Sequence, residues 1–263
     1  MKSSSKVPID PEAERAAERL GSISGGRVLD VATGDGTFIK TLMKTLKDYE
    51  SFVGIDISEK NFESAREEFK EEPVEILKMD AGSLEFEDEH FDTVGISYSL
   101  HHLLAMDRAL EEMKRVLKPG GFFIVMESYR DGNQTEAQRT EILTHHWGAE
   151  IDSLKGIPHR KTLGRDKIKG VLEGLGLKDT EVFDSAQSVN CLLCDKWSKC
   201  SDPMNEEGIR ESIEGIEKKL SDLEKMGDFE GRSRLVKRGE ELTERTRKTG
   251  ISPASNLFFA GRK

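Results

Sequence analysis

No apolar run in the 263-residue chain approaches the roughly 20 residues that a bilayer-spanning helix needs, so no membrane span is expected. The opening stretch "MKSSSKVPIDPEAERAAERL" lacks the apolar segment of a secretory signal. Cysteine is scarce. Its three residues, Cys191, Cys194 and Cys200, all fall within "CLLCDKWSKC". An odd, clustered set excludes a disulfide framework and points to a reducing cytoplasm. Excess positive charge is missing too: Lys and Arg total 40 against 50 Asp and Glu, a formal net charge of −10. Binding driven by counterion release needs clustered basic residues, so a nucleic-acid partner is disfavoured.

What is present is an alternation. Short apolar runs ("RVLDVA", "SFVGIDI", "VEILKMD", "FDTVGISYSL", "FFIVMES") are separated by segments with apolar residues at helical spacing. "TFIKTLMKTLKD" places Phe38, Leu42, Met43 and Leu46 on one face. "SEKNFESAREEFKEE" opens on Ser58, a natural N-cap. Strand–helix alternation predicts a parallel sheet covered on both faces, an α/β doubly wound fold with right-handed crossovers. Beyond Ser128, "NQTEAQRTEILTHHWGAEIDSL" predicts one long helix and "GRDKIKGVLEGLGL" another; "KDTEVFDSAQS" and "SNLFFAGRK" predict the last two strands. Between those strands lies a charged insertion, residues 201–250, in which Ile209, Ile213, Ile216, Leu220 and Leu223 step by 4, 3, 4 and 3. That is a heptad seam, and it predicts a helical hairpin that packs on its own domain or makes a homodimer contact.

The loop "VLDVATGDGTF" is the first candidate site. A dinucleotide fingerprint needs a third glycine, and Ile39 stands there. A pyrophosphate also avoids anions, whereas Asp30 and Asp35 belong to this loop, Asp56 ends the second strand and Asp80 ends the third. Strand ends of an α/β sheet meet in one crevice at its carboxyl edge. Four carboxylates there suit a cation bearing hydroxyls and an amine.

"VLDVATGDG", "VGIDIS", "MDAGSLEFEDEHFD", "ISYSLHHL" and "EMKRVLKPGGFFIVMES", in that order over about residues 27–127, resemble the class I S-adenosylmethionine-dependent methyltransferases. Within them, the chain is most similar to the group that includes the ubiquinone and menaquinone C-methyltransferases. The resemblance implies a Rossmann-like seven-stranded sheet of order 3-2-1-4-5-7-6 with strand seven antiparallel, in one methyltransferase domain over residues 1–263. It implies S-adenosyl-L-methionine as cofactor and a small-molecule methyl acceptor. Asp30, Ala32 (in place of a usual glycine), Gly34, Asp35 and Gly36 would frame the methionine moiety. Asp56 would accept the ribose hydroxyls beside Ile57. Asp80 and Ala81 would take the adenine, and Ser97 would lie near the methionine end. The N-terminal Tyr-Asp-x-Met-Asn-type signature of the quinone enzymes has no counterpart in residues 1–27, which weighs against a quinone acceptor.

Methyl transfer is an in-line displacement that needs alignment, exclusion of water and, for a protonated acceptor, a base. The region after the fifth strand, residues 128–166, is the expected substrate lid. Gln134, Gln138, Glu141, His145 and Asp152 form one stripe of its helix, and His146 and Glu150 an adjacent one. His145 and His146 are the candidate bases; His101, Gln138, Trp147 and His159 are the candidate substrate contacts, with His102 beside His101 as a pocket-lining or structural residue. No metal is expected. No His-Glu-x-x-His pattern supports a site at His146 and Glu150, and Cys191, Cys194 and Cys200 lack a second pair. Two alternatives stay open: a protein methyltransferase, and a non-catalytic S-adenosylmethionine-binding regulatory protein that uses the hairpin as its partner surface.

Overall fold

The computed structural model describes residues 10–157, 159–186, 189 and 202–263. Seven strands form a single sheet: β1 (Arg27–Val31), β2 (Ser51–Asp56), β3 (Val74–Lys78), β4 (Phe91–Ser97), β5 (Leu117–Ser128), β6 (Lys178–Ser185) and β7 (Asn256–Arg262). Their order is β3-β2-β1-β4-β5-β7-β6, as the resemblance implied. Pairs among β1 to β5 are parallel, and β7 runs antiparallel between β5 and β6.

The central strands read as continuous apolar runs because both of their faces are buried. Alternate residues go to opposite layers. Leu29, Val31, Phe123, Val125, Leu257 and Phe259 join a core with α4 (Met106–Val116) and α6 (Arg165–Gly174). Val28, Phe122, Ile124, Met126, Phe258 and Ala260 join the opposite core with α1 (Pro11–Gly21), α2 (Thr37–Thr45) and α3 (Glu59–Glu68). A one-residue slip in any of these strands would exchange its layers, so the register is strongly specified.

Three local details differ from expectation. Ser58 holds the N-cap position of α3, but its side chain makes no capping bond. "KPGG", whose Pro-Gly-Gly pattern suggests a turn, is part of β5, where the pairing with β4 shifts and Gly120 takes φ +77°. α5 (Glu136–Leu154) starts later than the pattern suggests. Thr135 and Gln138 form a reciprocal capping box at its start, which leaves Gln134 ahead of the helix.

The insertion folds into α7 (Glu206–Lys225) and α8 (Arg232–Thr249). The heptad seam turns inward at Ile216 and Leu223, which pack with Leu235 and Leu242 of α8 and with Trp147 and Ile151 of α5. Trp147 donates to the Leu235 carbonyl at 2.9 Å. Gly239 makes the approach possible: a Cβ there would lie 2.7 Å from both Leu220 and Trp147. Lys155–Asp222 and Arg245–Glu136, each at 2.7 Å, tie the same layers at the surface. The hairpin therefore buttresses α5. Among the described residues, no helix is long and apolar enough to cross a membrane.

Candidate active site

At the carboxyl edge of the sheet, Val31 of β1 lies level with Ile55 of β2 and Ile96 of β4. The loop that starts at Ala32 therefore emerges between Asp56 and Ser97. Thr33 donates its N–H to the Ile55 carbonyl at 2.9 Å, and Met79 donates to the Asp56 carbonyl at 3.0 Å, so the first three strand ends are stitched together. Gly36 opens α2 at φ +79°, where a Cβ would sit 2.3 Å from Phe69; only glycine fits. Gly34, at φ +53°, has no atom within 4 Å of an added Cβ and faces open space.

The four carboxylates do different work. Asp30 is buried; Thr33 bonds to its Oδ2, and its Oδ1 has no partner. Burial raises its carboxyl to about 7, against a lowering by the Thr33 bond, with further upward pushes from Asp56 and Asp35. Asp56 accepts from the Gly34 N–H at 2.9 Å and the Ser58 N–H at 2.8 Å. Asp35, on the surface, accepts from the Thr37 N–H at 3.0 Å, just ahead of α2. Asp80 accepts from the Gly82 N–H at 2.8 Å as a turn residue. Beside it, Asp80, Ala81 and Gly82 line a cavity of about 110 Å³ with Leu103, Leu104 and Arg108. Ile57, an apolar side chain 58% exposed, stands next to Asp56 at the mouth. A partnerless buried carboxyl oxygen, an open glycine face, an exposed isoleucine and a ring of acids suit a cationic, ribose-bearing ligand and not a diphosphate.

A second chamber of about 460 Å³ opens at the end of β4. Tyr98, His101 and His102 line it from below; Ser128 and Asn256 come from β5 and β7, and Glu141, Ile142 and His145 from α5. Tyr98 holds φ +49°, and Ala32 holds φ +57°. Non-glycine residues in this region cost on the order of 1–2 kcal/mol, and here both sit where the strands meet the crevice. Glu127, wholly buried at the end of β5, fixes the segment after β4: its Oε2 accepts from the Leu100 N–H at 2.8 Å, and its Oε1 lies 2.9 Å from His101 Nδ1.

Burial, followed by the neighbouring histidines, lowers His145 to about 3 and His102 to about 4. His146 falls to about 4 through burial and the nearby Lys161 and Arg130. Burial pushes the Glu141 carboxyl up.

Residues 29–125 match the methyltransferase domain family. A curated relative, the ubiquinone/menaquinone biosynthesis C-methyltransferase of Pseudomonas entomophila, is 35% identical over 121 residues, 44% of this chain and 47% of that protein. Over residues 29–125 the chain is thus similar to the class I S-adenosylmethionine-dependent methyltransferases, and to the quinone C-methyltransferases among them. The chain spans about half the length of that curated relative. Two solved structures share the fold. Phosphoethanolamine N-methyltransferase 2 of Haemonchus contortus matches with a TM-score of 0.54 at 21% identity, over 96% of this chain and 52% of that one. The [4+2]-cyclase SpnF matches with a TM-score of 0.55 at 18% identity, over 95% of this chain and 79% of that one. A cyclase on this fold shows that the sheet alone does not set the reaction.

Within and beyond residues 29–125, the expected residues divide. His101 and His145 reach the larger chamber together; His159 stands on the other side of His145, its Nε2 3.0 Å from His145 Nε2. His146 turns to the Thr162 hydroxyl at 2.8 Å and is not in that chamber's lining. Gln138 is consumed by the cap of α5 and reaches Ser255, and Trp147 by the hairpin core. Glu150 pairs with Arg234 and Arg238, which leaves no ligand pair with His146. The cysteine cluster lies outside the described residues. Tyr98 and Glu127 also belong to the site, and both lie inside the motifs "ISYSLHHL" and "FFIVMES", where only Ser97, His101 and His102 stood out from the sequence.

Proposed function

We propose that the chain transfers a methyl group from S-adenosylmethionine to a small-molecule acceptor held in the 460 Å³ chamber. The observation that carries this reading is that chamber's place. It opens at the end of β4, one strand from the Asp30–Gly36 loop, so an acceptor inside it lies beside the methionine end of the crevice. Its volume falls within the range typical of small-molecule sites, roughly 300–1,000 Å³. A built chamber favours catalysis on a small molecule over the two alternatives, a regulatory S-adenosylmethionine-binding protein and a protein methyltransferase.

S-adenosylmethionine, when bound, supplies an electrophilic methyl group on a sulfonium. Asp30, Gly34 and Gly36 would hold the methionine portion, with Ser97 nearby and Asp35 supporting the start of α2. Asp56 has lone pairs left for the ribose diol after its two backbone bonds. Ile57, Asp80 and Ala81 would flank the adenine. α5, buttressed by the hairpin, is the wall that excludes water, within a lid formed by residues 128–166. His145 is the chamber-facing member of the candidate pair and would take the proton of a protonated acceptor.

The test is calorimetry on the purified chain with S-adenosylmethionine and, separately, NAD. Micromolar binding of the first and none of the second is the expected result. NAD binding without S-adenosylmethionine binding would overturn the reading.

A further inference from the structure

Four histidines from three separate stretches converge under α5. His101 and His102 come from the turn after β4, His145 from α5 and His159 from the loop behind it. One ring nitrogen of each lies within 4.8 Å of the others. The ring centroids of His101 and His102 are 4.1 Å apart, those of His102 and His159 4.7 Å, and those of His145 and His159 4.8 Å.

The wiring around the cluster resembles that of a metal centre. His101 presents Nδ1 to Glu127 at 2.9 Å, and His159 presents Nδ1 to Asp152 at 2.8 Å. Each carboxyl group thus takes one ring nitrogen and leaves Nε2 for another partner, which is how outer-shell acids orient metal-bound imidazoles. His101 Nε2 is buried with no hydrogen-bond partner. His145 Nε2 and His159 Nε2 face each other at 3.0 Å, a separation that requires either a shared proton or a common cation. Metal–nitrogen bonds of about 2.0–2.1 Å in tetrahedral geometry place neighbouring ligand nitrogens about 3.3–3.4 Å apart, so that pair needs to open by only about 0.3–0.4 Å to hold an ion. Asp152 is itself anchored by Lys219 of α7, so the hairpin reaches this cluster directly.

We propose that His101, His102, His145 and His159 bind one divalent transition-metal ion of the imidazole-preferring class, such as Zn²⁺, Co²⁺ or Ni²⁺. Four neutral nitrogen donors do not suit Mg²⁺ or Ca²⁺, which prefer oxygen. Three of the four ligands line the 460 Å³ chamber, so the ion faces whatever occupies it. Metal binding is independent of the methyl-transfer reading. If both hold, the ion is placed to polarise an oxygen or nitrogen acceptor, and His145 serves as a ligand.

The experiment uses the full chain without an affinity tag, stripped with a chelator and titrated with Co²⁺ by visible absorption and with Zn²⁺ by calorimetry. One equivalent is expected to bind at micromolar affinity or tighter. His145→Gln and His159→Gln should each weaken it by at least about 100-fold, and Asp152→Asn, a positioning change, by about 10–100-fold. His102→Gln, at the less buried end, covers the case in which an inner variant fails to fold. S-adenosylmethionine calorimetry on each variant serves as a folding control independent of metal. Replacing Cys191, Cys194 and Cys200 together by serine should leave metal affinity unchanged. No stoichiometric binding, binding indifferent to the histidines, or loss of binding only in the cysteine variant would each overturn the proposal.

Discussion

The two halves of the site are built in opposite ways. The acidic crevice is made from strand ends: Asp30, Asp56 and Asp80 close β1, β2 and β3 or follow them directly, and backbone N–H groups hold three of the four carboxylates in place. The histidine chamber is made from segments that meet only in space, at residues 98–102, 128, 141–145, 159–162 and 253–256. The crevice is thus a property of the sheet. The chamber is a property of how α5 is held over it, and a hairpin far along the chain does the holding.

Damage to the buttress should separate them most clearly. Trp147→Ala removes the centre of the hairpin core and should cost about 3–5 kcal/mol of stability, a fall in melting temperature on the order of 10 °C. S-adenosylmethionine affinity at low temperature should stay within a few-fold of the parent. A large loss of affinity would mean that the crevice also depends on the hairpin. The converse change is Asp56→Ala, which should weaken S-adenosylmethionine binding by about 100-fold, since two hydrogen bonds to a charged acceptor are lost. Acceptor binding should be spared, as competition assays would show. His145→Ala should lower kcat by about 10–100-fold with cofactor affinity unchanged. An equal loss in both would break the division between the halves.

Asp30 gives a pH-dependent test confined to the crevice. Its folded value, about 7, lies above the ordinary 3.8. Between those values the folded chain keeps a proton that the unfolded chain has released, so this residue's contribution is most favourable below about pH 4 and is lost as the pH rises to about 7. Asp30→Asn should therefore flatten the fall in stability from pH 5 to pH 8 and raise stability at pH 8 by about 1–3 kcal/mol, while weakening S-adenosylmethionine binding. Denaturant melts across that range read the slope; an unchanged slope would place the proton elsewhere. Ala32→Gly should have the smallest effect. It relieves a left-handed alanine but adds backbone freedom to the unfolded chain, for a net change within about 1 kcal/mol in urea denaturation.

Most of the crevice was legible because its signals are local. A strand followed by "GDG" and an acid after each of the next two strands occupy fixed positions relative to the backbone, and the pleat fixes where they point. The start of α5 was misplaced because helical periodicity continued through Gln134, while the Thr135–Gln138 capping box set the boundary. Trp147 looked like a pocket residue beside two histidines; its ring was instead needed to seat Gly239 and Leu235. In sequence the histidines stand as separate candidates at 101–102, 145–146 and 159, because ligand spacing in sequence carries no information about groups joined by tertiary contact.

The sequence by itself determined the layered sheet and the ring of acids at its carboxyl edge, because strand periodicity and adjacent loops are short-range properties of the chain; the strand order came only from the family resemblance. Only the tertiary structure decided that Glu127 and Asp152 aim two histidines, that His145 faces the chamber while His146 turns to Thr162, and that α7 and α8 support α5. Those outcomes depend on side chains meeting across loops and elements, in the last case across about ninety residues of sequence, where Trp147 and Gly239 interlock.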